Sequence, residues 1–506
     1  MKITERSHRR EINRIITIAM IFAMATGALT SCKPVTTPVQ SSLNEESQIT
    51  GSSGESSSAM SAAEGSSADP SSQADTQISS RQNSQIPSQQ SSQTQAQSQF
   101  QTSSQQSSQS SQLQSQSQSQ SQSQTSSQQS SQSQSSYSND QLDEDIAFYS
   151  EIVEIETEWL ASLQLSNGAM PMTGTKNGVV TANPYFSAFA VLAILKGDDK
   201  YLPVVKKYME WHFDHLNTAQ TDYNGVDGTI YDYRITVENG QVKKEEIVIN
   251  GQGKKQYDST DSYAAMFLEI LWKYYEKSGD DAYIKSNYSD IKRIINALYS
   301  TMHDGLTWAK PDYKIKYLMD NVEVWRGMDN IILLYENLLK TSFQDAPAML
   351  TKLKTDRDLV ASKIEEQMWN ESEKYYECAI GHGGVVAYDF DWDNFYPSAT
   401  SQLFPITSGM VKPDSARAKL LYANFNKYYS TGESEKTWEE MDIPDSFYWG
   451  EMAYCGALMG DEARVKSYMT LYRNVMRNHA WPLYNSDAGR ATMAAAHMVE
   501  YLSAKK

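Results

Sequence analysis

The sequence predicts an all-α fold, a toroid of six helical hairpins preceded by a disordered linker. Three observations carry that expectation. From about Asn139 to Lys506, apolar residues recur at helical spacing. A Gly-Asp turn returns between helices, as Leu195-Lys196-Gly197-Asp198-Asp199-Lys200-Tyr201, Lys277-Ser278-Gly279-Asp280-Asp281-Ala282-Tyr283 and Leu458-Met459-Gly460-Asp461-Glu462-Ala463. The connections are short in one direction and long in the other, which gathers the long loops on one face.

Residues 1–32 read as an address. Lys2, Arg6, Arg9, Arg10 and Arg14 form a basic start, Ile15 to Leu29 a mostly apolar run of secretory length, shorter than a spanning helix needs. Leu29-Thr30-Ser31-Cys32 resembles a bacterial lipobox, which implies lipid on Cys32 and a domain tethered to the outer face of the cytoplasmic membrane; an ordinary signal peptide ending near a cysteine is the alternative. Residues 33–138 form the linker. Between Gln101 and Ser136 only Thr102, Leu113 and Thr125 are not Ser or Gln, so almost nothing is available to offset the entropy of ordering. A flexible coil of about 100 residues spans roughly 50–60 Å.

Residues 139–506 are long enough for one large core. The net charge of −18 falls almost wholly on this part, the wrong sign for a nucleic-acid partner. The three cysteines exclude a disulfide scaffold; Cys378 and Cys455 are open either to pairing or to burial as free thiols. Outer helices are expected over about 141–164, 199–216, 281–300, 345–369, 413–428 and 461–478. Inner helices, rich in Ala, Leu, Ile and Met, are expected over about 184–196, 260–277, 322–340, 396–409, 446–459 and 488–503. Each Gly of the repeated turn suits a left-handed helix end, and each acidic pair suits the next helix start. The loops 165–183, 217–259, 301–321, 370–395, 429–445 and 479–487 lie above the N-termini of the inner helices. Their length and their content of aromatics and carboxylates point to function.

Candidate chemistry sits where these loops meet the inner helices. Tyr185 opens the first. Tyr257-Asp258-Ser259-Thr260-Asp261-Ser262-Tyr263 opens the second, with Asp258 expected to cap it and Asp261 left free for chemistry. Glu323 and Arg326 share a face of the third at i, i+3, either as a local ion pair or with Glu323 pointing into a central cavity. Tyr388-Asp389-Phe390-Asp391-Trp392-Asp393-Asn394-Phe395-Tyr396-Pro397 alternates acids with aromatics before the fourth, as an edge strand or as a sugar site. Tyr448, Trp449, Trp481 and Tyr484 are further aromatic platforms; Asp445 and Asp487 fit helix caps, and Asp487 also a ligand contact. His212 and His215 sit on an outer helix, where surface positions are expected; no metal or cofactor is expected.

This layout and the segment Tyr257 to Ala265 resemble the six-hairpin glycosidase superfamily over essentially all of 140–506. The resemblance implies an (α/α)6 barrel that hydrolyses glycosidic bonds with acidic side chains, mostly by inversion, acting as a monomer on a polysaccharide or oligosaccharide. On it Asp261 and Asp391 are the expected catalytic pair, with Glu323 in reserve. Tyr185, Tyr257, Asp258, Arg326, Trp392, Asp393, Tyr396, Tyr448, Trp449, Tyr484 and Asp487 are the expected substrate contacts. The rival readings are a carbohydrate-binding protein without catalysis, and a lyase using His382, Tyr388 and Arg490.

Overall fold

The computed structural model describes residues 138–430, 438, 450–479 and 483–506. Cys32, residues 1–137, Asp445, Tyr448, Trp449 and Trp481 lie outside the described residues. Helices dominate, and they alternate as the apolar spacing predicts.

The outer helices are α1 (Asn139–Ser162), α3 (Leu202–Asp214), the broken pair α5 (Asp281–Ser286) and α6 (Tyr288–Ser300), α8 (Ala346–Gln367), α10 (Ala416–Tyr429) and α12 (Glu462–Met476). The inner ones are α2 (Pro184–Ile194), α4 (Asp261–Ser278), α7 (Leu318–Leu334), α9 (Phe404–Thr407, preceded by a helical turn at Phe395–Ala399), α11 (Gly450–Leu458) and α13 (Asn485–Ser503). The inner helices pack in a closed cycle, α2 on α4, α4 on α7, α7 on α9, α9 on α11, α11 on α13 and α13 back on α2. Two close approaches in the cycle require glycine. A Cβ on Gly327 of α7 would lie 2.5 Å from the Ala265 carbonyl oxygen of α4, and one on Gly489 of α13 would lie 2.6 Å from the Phe189 carbonyl oxygen of α2.

The repeated turn behaves largely as expected. Gly279 is left-handed (φ 63°) and its N–H closes α4 on the Tyr275 carbonyl at 2.8 Å. Asp280 caps α5, its Oδ1 accepting the Tyr283 N–H at 3.1 Å. Gly197 differs: its φ is ordinary, and what excludes a side chain is Thr157, whose Cγ2 would lie 2.3 Å from a Cβ.

The loop 217–259 is more ordered than the helical reading allows. β2 (Tyr233–Glu238) and β3 (Gln241–Ile247) form an antiparallel hairpin, and β1 (Gly178–Ala182) pairs with the other edge of β2, Gly178 opposite Val237 and Ala182 opposite Tyr233. The turn is Asn239-Gly240, both at positive φ, the strongest short hairpin signal a sequence carries. Tyr233, Ile235 and Val237 face inward and are buried. Glu245 of β3 pins the sheet to α3, accepting from Trp211 Nε1 at 2.9 Å and meeting His215 Nε2 at 3.1 Å. His212 is not a surface residue: it is buried, stacked on Phe267 at 3.7 Å, and burial pushes its pKa down to about 3. Cys378 and Cys455 are buried free thiols. Among the described residues no helix is long and apolar enough to cross a membrane.

Candidate functional site

The start of α4 reverses the expected roles of its two aspartates. Asp261 is fully buried. Its Oδ1 accepts the Ser259 hydroxyl at 2.6 Å and the Ser262 N–H at 2.9 Å, and its Oδ2 accepts the Thr307 hydroxyl at 2.6 Å. The Thr307 N–H donates in turn to Asn321 Oδ1 of α7 at 2.8 Å. Asp261 therefore braces α4 against α7, with both oxygens occupied. Asp258 does not cap the helix; Thr260 takes that position without a side-chain bond. The Asp258 carboxylate is half-buried and accepts no hydrogen bond among the described residues, while its backbone N–H donates to the Tyr263 hydroxyl at 3.2 Å. Burial raises the pKa of both groups; the Lys310 ammonium counters the rise at Asp258.

α7 begins at Leu318 rather than at 322, so its first turn includes Asp320, one turn before Glu323. Glu323 is 3% exposed. Its Oε1 accepts the Tyr185 hydroxyl at 2.8 Å, and its Oε2 is buried with no hydrogen-bond partner. Burial pushes its pKa up to about 8, against the pull of Tyr185 and of the Arg490 charge. Asp320 is half-buried and is held well above the usual carboxylate range by burial and by the like charges of Asp261, Glu323 and Asp258. Tyr396 also feels the charges of Asp258, Asp320 and Glu323.

Asp232, immediately before β2, belongs to this group and no local signal marks it. Its backbone is fixed between Gln256 and Val248 by bonds of 2.9 and 2.8 Å. Its Oδ1 accepts from Asn183 Nδ2 at 3.1 Å and from the Tyr263 hydroxyl at 2.8 Å. Burial, with a further push from Asp258, takes its pKa up to about 8. Tyr313, whose phenol feels the Asp258 charge, stands with Tyr317 and Tyr388, the three hydroxyls 3.1–3.4 Å apart. Tyr313 and Tyr388 are exposed.

The other expected residues divide. Tyr185 and Tyr396 join the carboxyls. Asp391 is exposed rather than buried among aromatics: its segment is a turn, not a strand, in which Asp391 Oδ1 accepts the Asp393 N–H at 2.9 Å. Trp392 and Asp393 are half-buried; Trp392 stacks on Tyr428 at 5.7 Å, and its carbonyl accepts the Tyr429 hydroxyl at 2.7 Å. Arg326 does not pair with Glu323. It meets buried Glu269 of α4 at 2.5 Å and donates to the Thr407 carbonyl of α9 at 2.6 Å, a strut across three inner helices. Tyr257 is 1% exposed and stacked with Tyr223 and Tyr231 at 5.0 and 5.5 Å, a core position and not a platform. Tyr484 is buried beside Phe186, and Asp487 is buried with Oδ2 unpartnered in the first turn of α13. Arg490 is engaged by Glu451 at 2.6 Å.

No family model matches the chain, and no curated protein matches it. Among solved structures the chain is similar to a glycosidase at 12% identity, over 71% of this chain and 98% of that one, with a TM-score of 0.45. It is also similar to an α-amylase from Clostridium perfringens at 10% identity, over 69% and 97% of the two chains, TM-score 0.46. A GH63 mannosylglycerate hydrolase from Thermus thermophilus, in complex with glucose, is similar at 11% identity over 69% and 100%, TM-score 0.43.

Proposed function

We propose that the cycle of inner helices is the core of an (α/α)6 toroid and that its carboxyl cluster hydrolyses glycosidic bonds. The observation that carries this reading is Glu323. Burial keeps it protonated near neutral pH. Because Tyr185 donates to Oε1, the acid proton belongs on Oε2, which is unpartnered and free to donate. Glu323 is then the general acid that protonates the leaving glycosidic oxygen. Asp258, accessible, without a hydrogen bond on its carboxylate and beside Lys310, is the general base. It takes a proton from the water that attacks the anomeric carbon, so this scheme inverts that centre. Tyr313, Tyr317 and Tyr388 offer ring faces to a sugar. Cys32, in this reading, carries lipid, residues 33–138 are the spacer, and the protein acts as a monomer at the outer face of the cytoplasmic membrane.

The test is turnover on a panel of polysaccharides and oligosaccharides. Glu323→Gln and Asp258→Asn should each lose at least about 10²-fold with the helical circular dichroism intact. Asp261→Asn should instead lose thermal stability, because an amide cannot accept from Ser259, Ser262 and Thr307 at once. Wild-type rates in both Glu323→Gln and Asp258→Asn would overturn the assignment.

A further inference from the structure

A small cavity lies behind the start of α4. His212 of α3, Gly228 and Ile230 ahead of β2, Thr260 and Ala264 around the start of α4, and Ile294 of α6 form its walls. Its room for the centre of a water-sized sphere is about 10 Å³, enough for one molecule of water. Two of these residues carry a buried polar atom with no hydrogen bond, His212 Nδ1 and Thr260 Oγ1. The Tyr257 phenol feels the Thr260 hydroxyl as a polar neighbour, but no hydrogen bond joins them. The other polar side chains at the cavity are engaged. The Thr229 hydroxyl donates to Asp222 at 2.8 Å, the Ser259 hydroxyl to Asp261 at 2.6 Å and the Tyr263 hydroxyl to Asp232 at 2.8 Å.

The walls are held in place by contacts of their own. The His212 ring lies on Phe267 at 3.7 Å. The Thr260 N–H donates to the Ala309 carbonyl at 2.7 Å. Gly228 is left-handed (φ 95°) and already so close to α6 that a Cβ would lie 1.9 Å from the Arg293 carbonyl oxygen. Buried polar groups are rarely left unbonded, and here two of them border one space that none of these contacts lets close.

We infer that the cavity holds one ordered water, bonded to His212 Nδ1 and to Thr260 Oγ1, which fastens the start of α4 to α3. Burial holds the His212 ring neutral above about pH 3, so Nδ1 is either a donor or a lone pair. Water serves both cases, and so does the Thr260 hydroxyl. No lining residue is an acid, a lysine or an arginine, so an ion gains no counter-charge there. An apolar guest would leave both groups unbonded. The inference stands apart from the glycosidase reading, although the helix start it fastens is the one that carries Asp261 and follows Asp258.

The experiment uses the full-length protein. A crystal structure of the wild type should show one solvent atom about 2.7–3.2 Å from both His212 Nδ1 and Thr260 Oγ1. Thr260→Val keeps the side-chain shape and removes the hydroxyl; His212→Phe keeps a ring on Phe267 and removes the nitrogen. Each should lower the folding equilibrium constant about tenfold, read by urea unfolding. The double variant should lose far less than about a hundredfold, because one water serves both groups. In spectra of 15N-labelled histidine, the Nδ1 signal of His212 should move in Thr260→Val, although no bond joins the two side chains. An empty cavity that takes up xenon overturns the inference, and so do strictly additive losses. Stability that rises with sodium in the wild type alone would assign the site to an ion and also overturns it. If His212→Phe fails to fold, the solvent density and the Nδ1 signal in Thr260→Val still decide.

Discussion

Replacing Glu323 with Gln should stabilise the protein, and by an amount that depends on pH. The carboxyl has a pKa of about 8 in the folded chain against 4.5 ordinarily, so the folded state binds this proton more tightly than the unfolded one. The stability it contributes is therefore full below pH 4.5 and is lost as pH rises through about 8. At about 1.4 kcal/mol per pH unit, the loss reaches roughly 5 kcal/mol above pH 8. At 3% exposure, solvent screening takes little from that figure. Gln keeps the shape and an acceptor for the Tyr185 hydroxyl but cannot ionise. Urea unfolding of wild type and Glu323→Gln, measured from below pH 4.5 to above pH 8, should show similar stability at the acid end and a widening advantage for the variant towards alkaline pH. A difference that stays constant across this range would refute the claim that burial holds Glu323 neutral, and with it the argument for Glu323 as the acid.

Two further substitutions test the frame around the site. Arg326→Met strands the Glu269 charge, 2% exposed, and should cost about 3–5 kcal/mol; adding Glu269→Leu should restore much of it, read by thermal midpoints. Gly327→Ala places a Cβ 2.5 Å from the Ala265 carbonyl oxygen, which forces α4 and α7 apart and should cost about 1–3 kcal/mol by the same measurement.

The hairpins are legible in the sequence because their signals are local. The turns at Gly279 and Gly460 lie within a few residues of the helices they join, and the apolar faces repeat without interruption. The site is legible only as a region. Asp258 and Asp261 differ by what distant segments bring to them: Thr307, from a strand 46 residues later, occupies Asp261 and leaves Asp258 free. Asp232 enters the site through Asn183, 49 residues earlier, and nothing in its own neighbourhood marks it. Asp391 stands among aromatics in sequence, which suggests a catalytic carboxyl, but Trp392 and Phe395 pack on α10 and Asp391 itself is exposed. The hairpin at Asn239-Gly240 is the opposite case, a local signal that a purely helical reading of the surrounding loop passes over.

The two ends of the helical body meet. Lys506 pairs with Asp143, and nearby Glu500 reaches Lys196 just past the C-terminus of α2 at 3.3 Å. The chain thus enters α1 on the side where the inner helices finish, whereas the carboxyls stand where those helices start. A load applied at Asn139 is therefore taken up at the end of the helical body remote from those carboxyls.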